Sequence, residues 1–187
     1  MNTRTTAATA ALATALLLTA CSGPRDTATP DASAAPDETA TAAAGGFKVG
    51  EEVRNGGAVV KISKVHEVDG ILMDGGTRSA GAKGKYVALE TVVLNDTKAG
   101  MDLACSLPID SSLIDDQGRR YDAIDDLDRI PGNPECDERL QPGSKDWMVL
   151  AYRVPKSVNI TAWEFSGPGP GSDREPSTID LDETSAT

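Results

Sequence analysis

The stretch KYVALETVVLND, Lys85 to Asp96, constrains the fold more than any other part of the chain. Side chains of an extended segment point alternately to opposite faces, so a period of two is the mark of a strand. Here Val87, Leu89, Thr91 and Val93 line one face, with Tyr86, Ala88, Glu90, Val92 and Leu94 on the other. Shorter runs repeat the pattern. Val59, Val60, Ile62 and Val65 follow the turn-forming Asn55-Gly56-Gly57. SSLIDDQGRRYDAI reads as a hairpin whose arms meet at Asp116-Gln117-Gly118. After the turn Gln141-Pro142-Gly143, DWMVLAYRVP places Met148, Leu150, Tyr152 and Val154 on one side, and SVNITAWEFSG is a last clear strand carrying Trp163 and Phe165. No window has the 3.6-residue period of an amphipathic helix. Short strands separated by Gly/Pro turns predict an all-β, antiparallel β-sandwich.

Composition confines that fold to part of the chain. Hydrophobic residues make up 39% of the 187 positions and aromatic residues 4%, low for a chain folded from end to end. From Ser22 to Gly46 there is no large apolar residue, so nothing there offsets the entropy of ordering. Pro24, Pro30 and Pro36 recur at six-residue spacing and disfavour helix. As a coil, roughly 25 residues span about 25–30 Å, and up to about 80 Å if extended as polyproline II. The segment reads as a tether, either a bare flexible linker or, given Thr and Ser beside Pro, an O-glycosylated stalk. The folded domain is expected over residues 47–166. Residues 167–187, opening Gly-Pro-Gly-Pro-Gly and then acidic, read as a disordered tail. The alternative there is a short edge strand near 178–182, where Ile179 and Leu181 alternate with Asp180 and Asp182.

Residues 1–20 have the form of an export signal. Arg4 is the only charge before Cys21, and the uncharged stretch Thr5 to Ala20 ends in Leu16-Leu17-Leu18. A spanning helix needs about 20 strongly apolar residues, and this run is shorter and diluted with threonine. The tetrapeptide Leu18-Thr19-Ala20-Cys21 resembles the bacterial lipobox. That resemblance implies cleavage before Cys21 and a diacylglyceryl thioether on its sulfur, which would anchor the chain to the outer face of the cell membrane. Each buried CH₂ adds about 0.8 kcal/mol, and two acyl chains hold stably where one holds marginally. The alternative is ordinary secretion with cleavage near Ala20.

The net charge of −11 argues against nucleic acid, whose phosphates select basic surfaces, and against adsorption to anionic lipid. Export exposes the remaining cysteines to an oxidising compartment. Cys105 and Cys136 are the only thiols of the folded region and allow one intramolecular pairing. Closing a loop of about 30 residues stabilises by about 3–4 kcal/mol in the chain-entropy model. A metal site or reactive thiol is the rival reading, but there is no C-x-x-C and no nearby histidine. No Trp lies between the two cysteines, so the bond is a peripheral brace and not the inter-sheet pin of an antibody domain.

In order along the chain, FKVGEEV, KGKYVALETVVLN, LIDDQGRRY, LQPGSKDWMVLAYRVP and AWEF resemble a bacterial domain-of-unknown-function family. Its members are lipoproteins or secreted proteins of Gram-positive bacteria. The resemblance implies a telokin-like, immunoglobulin-like sandwich, as in a secreted mycobacterial antigen, and an envelope location. It brings no catalytic residues. DGILMDGGTRSAGA departs from the family pattern and reads as an insertion between the first two strands.

Motifs for catalysis are weak. His66, the only histidine, reads as a solvated strand-end residue, and no Gly-x-Ser-x-Gly elbow accompanies it. Gly76 to Gly81 has the first spacing of a phosphate loop, but Ala82 stands where lysine is needed, so it reads as a mobile loop. The acidic set Asp115, Asp116, Asp122, Asp125, Asp126 and Asp128 is dense enough for a divalent cation, with Asp115, Asp116 and Asp122 the leading ligands. It lacks EF-hand spacing, and Arg119, Arg120 and Arg129 interrupt it, which favours a solvated, partly paired surface. Paired carboxylates could serve a glycosidase, but no aromatic sugar platform is evident. The expectation is a binding or interaction module meeting an envelope protein or surface ligand, without catalysis or cofactor. A small-ligand or Ca²⁺-binding lipoprotein is the alternative.

Overall fold

The computed structural model describes residues 46–106, 109–168 and 175–182. Leu18, Thr19, Ala20 and Cys21, with the signal segment and nearly all of the tether, lie outside the described residues. So do residues 169–174 and 183–187.

The described residues form an antiparallel β-sandwich, as the alternation predicts. One sheet has the order β2-β3-β6-β9, from Glu52–Asn55, Ala58–Val68, Gly84–Asn95 and Lys145–Pro155. The other has the order β1-β11-β10-β7-β8, from Phe47–Lys48, Ser177–Asp180, Ile160–Ser166, Asp110–Asp115 and Arg120–Asp122. Every pairing is antiparallel except β1 with β11, which is parallel.

Strand β6 runs through the middle of the four-stranded sheet and buries Val87, Leu89, Thr91 and Val93, one of the two faces its alternation separates. Opposite them on β9, Tyr152, Leu150 and Met148 pair with Val87, Leu89 and Thr91. Thr91 is tolerated among apolar neighbours because its hydroxyl donates to the Met148 carbonyl at 2.9 Å. From the other sheet, β10 contributes Trp163 and Phe165, both buried and stacked with centroids 4.9 Å apart. Truncating an aromatic anchor of this kind to alanine costs about 3–5 kcal/mol.

Two segments differ from the sequence-based expectation. Residues expected as a disordered tail include β11; a strand was the alternative there, but it lies between β1 and β10 and is not an edge. Ile179 and Leu181 are buried there. Long-range bonds hold the segment: the buried Asn55 side chain donates to the Glu175 carbonyl (3.0 Å) and the Ser177 hydroxyl (3.1 Å). The Gly57 amide donates to the Pro168 carbonyl at 2.6 Å. A Cβ at Gly167 would collide with the Asn55 carbonyl oxygen, so the chain passes this close only as glycine. The ordered domain therefore reaches Leu181.

The second difference is the glycine-rich insertion. It forms a hairpin, β4 (Gly70–Met73) with β5 (Gly76–Ser79), and the run from Gly76 is a strand where a loop was expected. Ile71 and Met73 join the core. The Asp74 amide donates to the Arg129 carbonyl, and the Arg78 guanidinium binds both oxygens of Asp126.

Candidate functional site: a pocket between the sheets

The β7–β8 hairpin holds Asp115, Asp116 and Asp122 of the acidic set. Its turn closes at Gly118, whose φ of 75° favours glycine. Asp115 ends β7 with a fully buried side chain. Its Oδ1 accepts the Gln117 and Arg119 amides, at 3.0 and 2.9 Å, and its Oδ2 accepts Arg119 Nε (2.6 Å) and the Tyr121 hydroxyl (2.9 Å). Burial alone would raise this carboxyl, but the donors of Arg119, Tyr121 and Gln117 outweigh it and lower it from 3.8 to about 2. Both oxygens are thus engaged by the protein. Asp116 is exposed in the turn, its amide donating to the Asn159 carbonyl, and Asp122 sits on the exit arm. Asp115, Asp116 and Asp122, proposed together as cation ligands, do not share one opening.

The other acids divide by partner. Asp126 binds Arg78, which holds its carboxyl below the usual range, and Glu164 meets Arg120 at 2.5 Å. Asp110, Asp122 and Asp125 have no cationic partner among the described residues. Asp122 accepts only a long bond from the Ser112 hydroxyl, 3.3 Å.

These three acids lie on the mouth of one pocket of about 160 Å³ that enters the inter-sheet layer. Val60, Val93, Met148 and Leu150 of the four-stranded sheet form one apolar wall, and Trp163 stands on the other. Trp163 is tied to a short polar relay. The indole Nε1–H donates to the Tyr152 hydroxyl at 2.7 Å, which shares a 2.8 Å hydrogen bond with Ser111. Tyr152 is fully buried, and burial pushes its hydroxyl up to about 12 against the lowering effect of those two partners. Asp122 and Asp110 push in the same upward direction.

The disulfide expected between Cys105 and Cys136 is present. It joins the β6–β7 crossover, which supplies Leu103 to the pocket, to the β8–β9 connection, which supplies Asp125. The two segments are also tied by reciprocal bonds between Met101 and Leu140, at 3.0 and 2.9 Å. The Asp128 carboxylate lies beside the two sulfurs, but sulfurs joined to each other offer a metal no thiolate. His66 lies within β3, two residues before its end, and its Nε2–H donates to Glu90 at 2.7 Å. Both side chains are about one-third exposed on the outer face of the sheet.

Sequence reasoning grouped the acids by proximity along the chain and missed Asp110 as a member of the pocket. The available signal was the period of β7: Asp110 precedes the hydroxyl-bearing Ser111 and Ser112, where a strand leaves its apolar stretch.

No family model matches the chain, and no curated protein matches it. Solved structures do. An uncharacterized β-sandwich protein from Clostridium difficile 630 superposes with a TM-score of 0.51 at 12% identity, covering 72% of this chain and 94% of that one. The yjhA protein from Bacillus subtilis superposes with a TM-score of 0.51 at 18% identity, covering 73% and 99%. These likenesses show the fold. The chain shares a bacterial β-sandwich architecture with proteins of no stated activity, and its chemistry must be read from its own residues.

Proposed function

We propose that this protein is a lipid-anchored, extracytoplasmic binding module of the bacterial cell envelope, of the lipoprotein family whose motif order it resembles. The carrying observation is the order of parts. Leu18-Thr19-Ala20-Cys21 follows an uncharged stretch, a proline-spaced tether follows the cysteine, and a disulfide-braced sandwich follows the tether. The sulfur of Cys21 then carries the diacylglyceryl group, and the mature chain begins there. The tether lets the domain search a volume above the membrane and meet an envelope protein or surface ligand. A smaller ligand held inside the sandwich is the second reading, favoured by the pocket behind Asp110, Asp122 and Asp125.

Mass spectrometry of the mature N-terminus tests the anchor: a diacylglyceryl-modified Cys21 is expected, and an unmodified thiol there refutes it. Cross-linking on intact cells tests the module. The wild-type chain should give a specific adduct that disappears with Cys21→Ala, and the absence of any anchor-dependent adduct counts against an envelope partner.

A further inference from the structure

We propose that the inter-sheet pocket binds a small organic ammonium ion, its apolar body between the sheets and its charge at the mouth formed by Asp110, Asp122 and Asp125. The inference rests on the reading of the domain as a binding module and names the ligand class of one site within it.

Three observations converge. First, the cavity has the size and lining of an apolar ligand site. Its volume is about 160 Å³ with Val60, Met148, Leu150 and Trp163 in its walls, and an engineered apolar cavity of about 150 Å³ takes benzene. A phenyl ring or short alkyl chain fits; a lipid acyl tail does not. Second, the mouth carries three carboxylates and no protein cation. Elsewhere in the same region acids have arginines: Asp115 has Arg119, Asp126 has Arg78 and Glu164 has Arg120. Asp116 and Asp128 are likewise without a cationic partner among the described residues, but of these acids only Asp110, Asp122 and Asp125 line the cavity. Third, the indole N–H of the apolar wall is already engaged within the protein. Trp163 Nε1–H donates to the Tyr152 hydroxyl, which shares a bond with Ser111, so the indole in the wall asks no hydrogen bond of a ligand's inner end. An apolar body with one terminal cation matches all three. A bare metal ion leaves the apolar walls unused, and an anion meets the wrong sign of field.

The two tryptophans provide the readout, since Trp163 is in the pocket wall and Trp147 lies on β9, partly exposed. The full chain, purified in detergent, is titrated with 2-phenylethylammonium while both indole N–H resonances are followed. Saturable movement of the Trp163 resonance with Trp147 unmoved is expected. Phenylacetate, which has the same body and the opposite charge, should bind at least about tenfold more weakly. Asp122→Asn with Asp125→Asn, both exposed positions, should weaken the ammonium about tenfold without lowering the melting temperature, and 1 M salt should reproduce part of that loss. The proposal is overturned if Trp163 does not move at about 10 mM ligand, or if phenylacetate binds equally. It is overturned too if ethylammonium or Ca²⁺ alone produces the same shift at the same concentration. Any of these outcomes removes the ligand class and leaves the N-terminal modification and cell-surface capture to be judged separately.

Discussion

Strand β7 begins on Asp110 and ends on Asp115, and the two carboxylates meet opposite surroundings. Asp115 is buried and accepts four hydrogen bonds, one of them from the Arg119 guanidinium. Asp110 is exposed at the pocket mouth with no cation among the described residues. The same residue type, at two sites five positions apart on one strand, is a structural anchor at one end and an unneutralised charge at the other. A buried carboxylate persists only where donors replace its water. An exposed one keeps its water and can give it up to a ligand. Charge count along the sequence therefore says little about which acids bind; the partners each acid already has say more.

The largest test of this contrast is the disulfide, which lies on the pocket side. Cys105→Ser with Cys136→Ser should cost about 3–4 kcal/mol and lower the melting temperature by about 10–15 °C. Hydrogen exchange should quicken first at the Met101 and Leu140 amides, which tie the two segments flanking the pocket. The Gln117 and Arg119 amides, held by Asp115, should keep their protection below the global unfolding limit. Equal loss at both places would show that the two ends open as one unit.

Asp115 comes next. Asp115→Ala leaves two amides and a hydroxyl without their acceptor and should lower the melting temperature by about 5–10 °C, whereas Asp110→Ala should change it by no more than about 2 °C. The acid side gives the sign. Because the folded carboxyl is lowered from 3.8 to about 2, its stabilising contribution is complete above the unfolded value and is lost as pH falls from about 4 through 2. Melting between these limits should fall more steeply for wild type than for Asp115→Asn, and the two slopes should coincide above about pH 5. Parallel slopes throughout would assign the acid sensitivity to other groups.

How much of this was legible in the sequence depends on how local each cause is. The alternation from Lys85 to Asp96 disclosed β6 and the residues that share each of its faces because strand period is a local property. The Cys105–Cys136 pair was legible because these are the only two cysteines of the folded region. Strand β11 was not. Its two apolar residues sit in an acidic stretch, and what holds it is Asn55, 120 residues before Glu175. The β4–β5 hairpin was missed for the same reason: glycine-rich composition suggests a loop, while Arg78 is fixed by Asp126, 48 residues on. The acidic site shows the limit most clearly. Asp115 and Asp122 are near neighbours in one hairpin, yet burial withdraws the first and the sheet edge presents the second.

The smallest effect divides the acids again, without any ligand. Like charges held near one another with no cation repel, and exposed charges interact weakly at high dielectric. Asp122→Asn with Asp125→Asn should therefore raise the melting temperature by about 1–2 °C at low salt, and the gain should vanish near 1 M salt, where the Debye length is about 3 Å. Asp126→Asn, which takes a charge away from Arg78, should lower it instead. Opposite signs from neighbouring aspartates would mean that Asp122 and Asp125 slightly destabilise the free protein, as expected of groups whose charge is matched only when a cation occupies the pocket. If all three substitutions lower the melting temperature together, the mouth acids belong with Asp115 as supports of the fold, and the contrast along β7 reduces to a difference in burial.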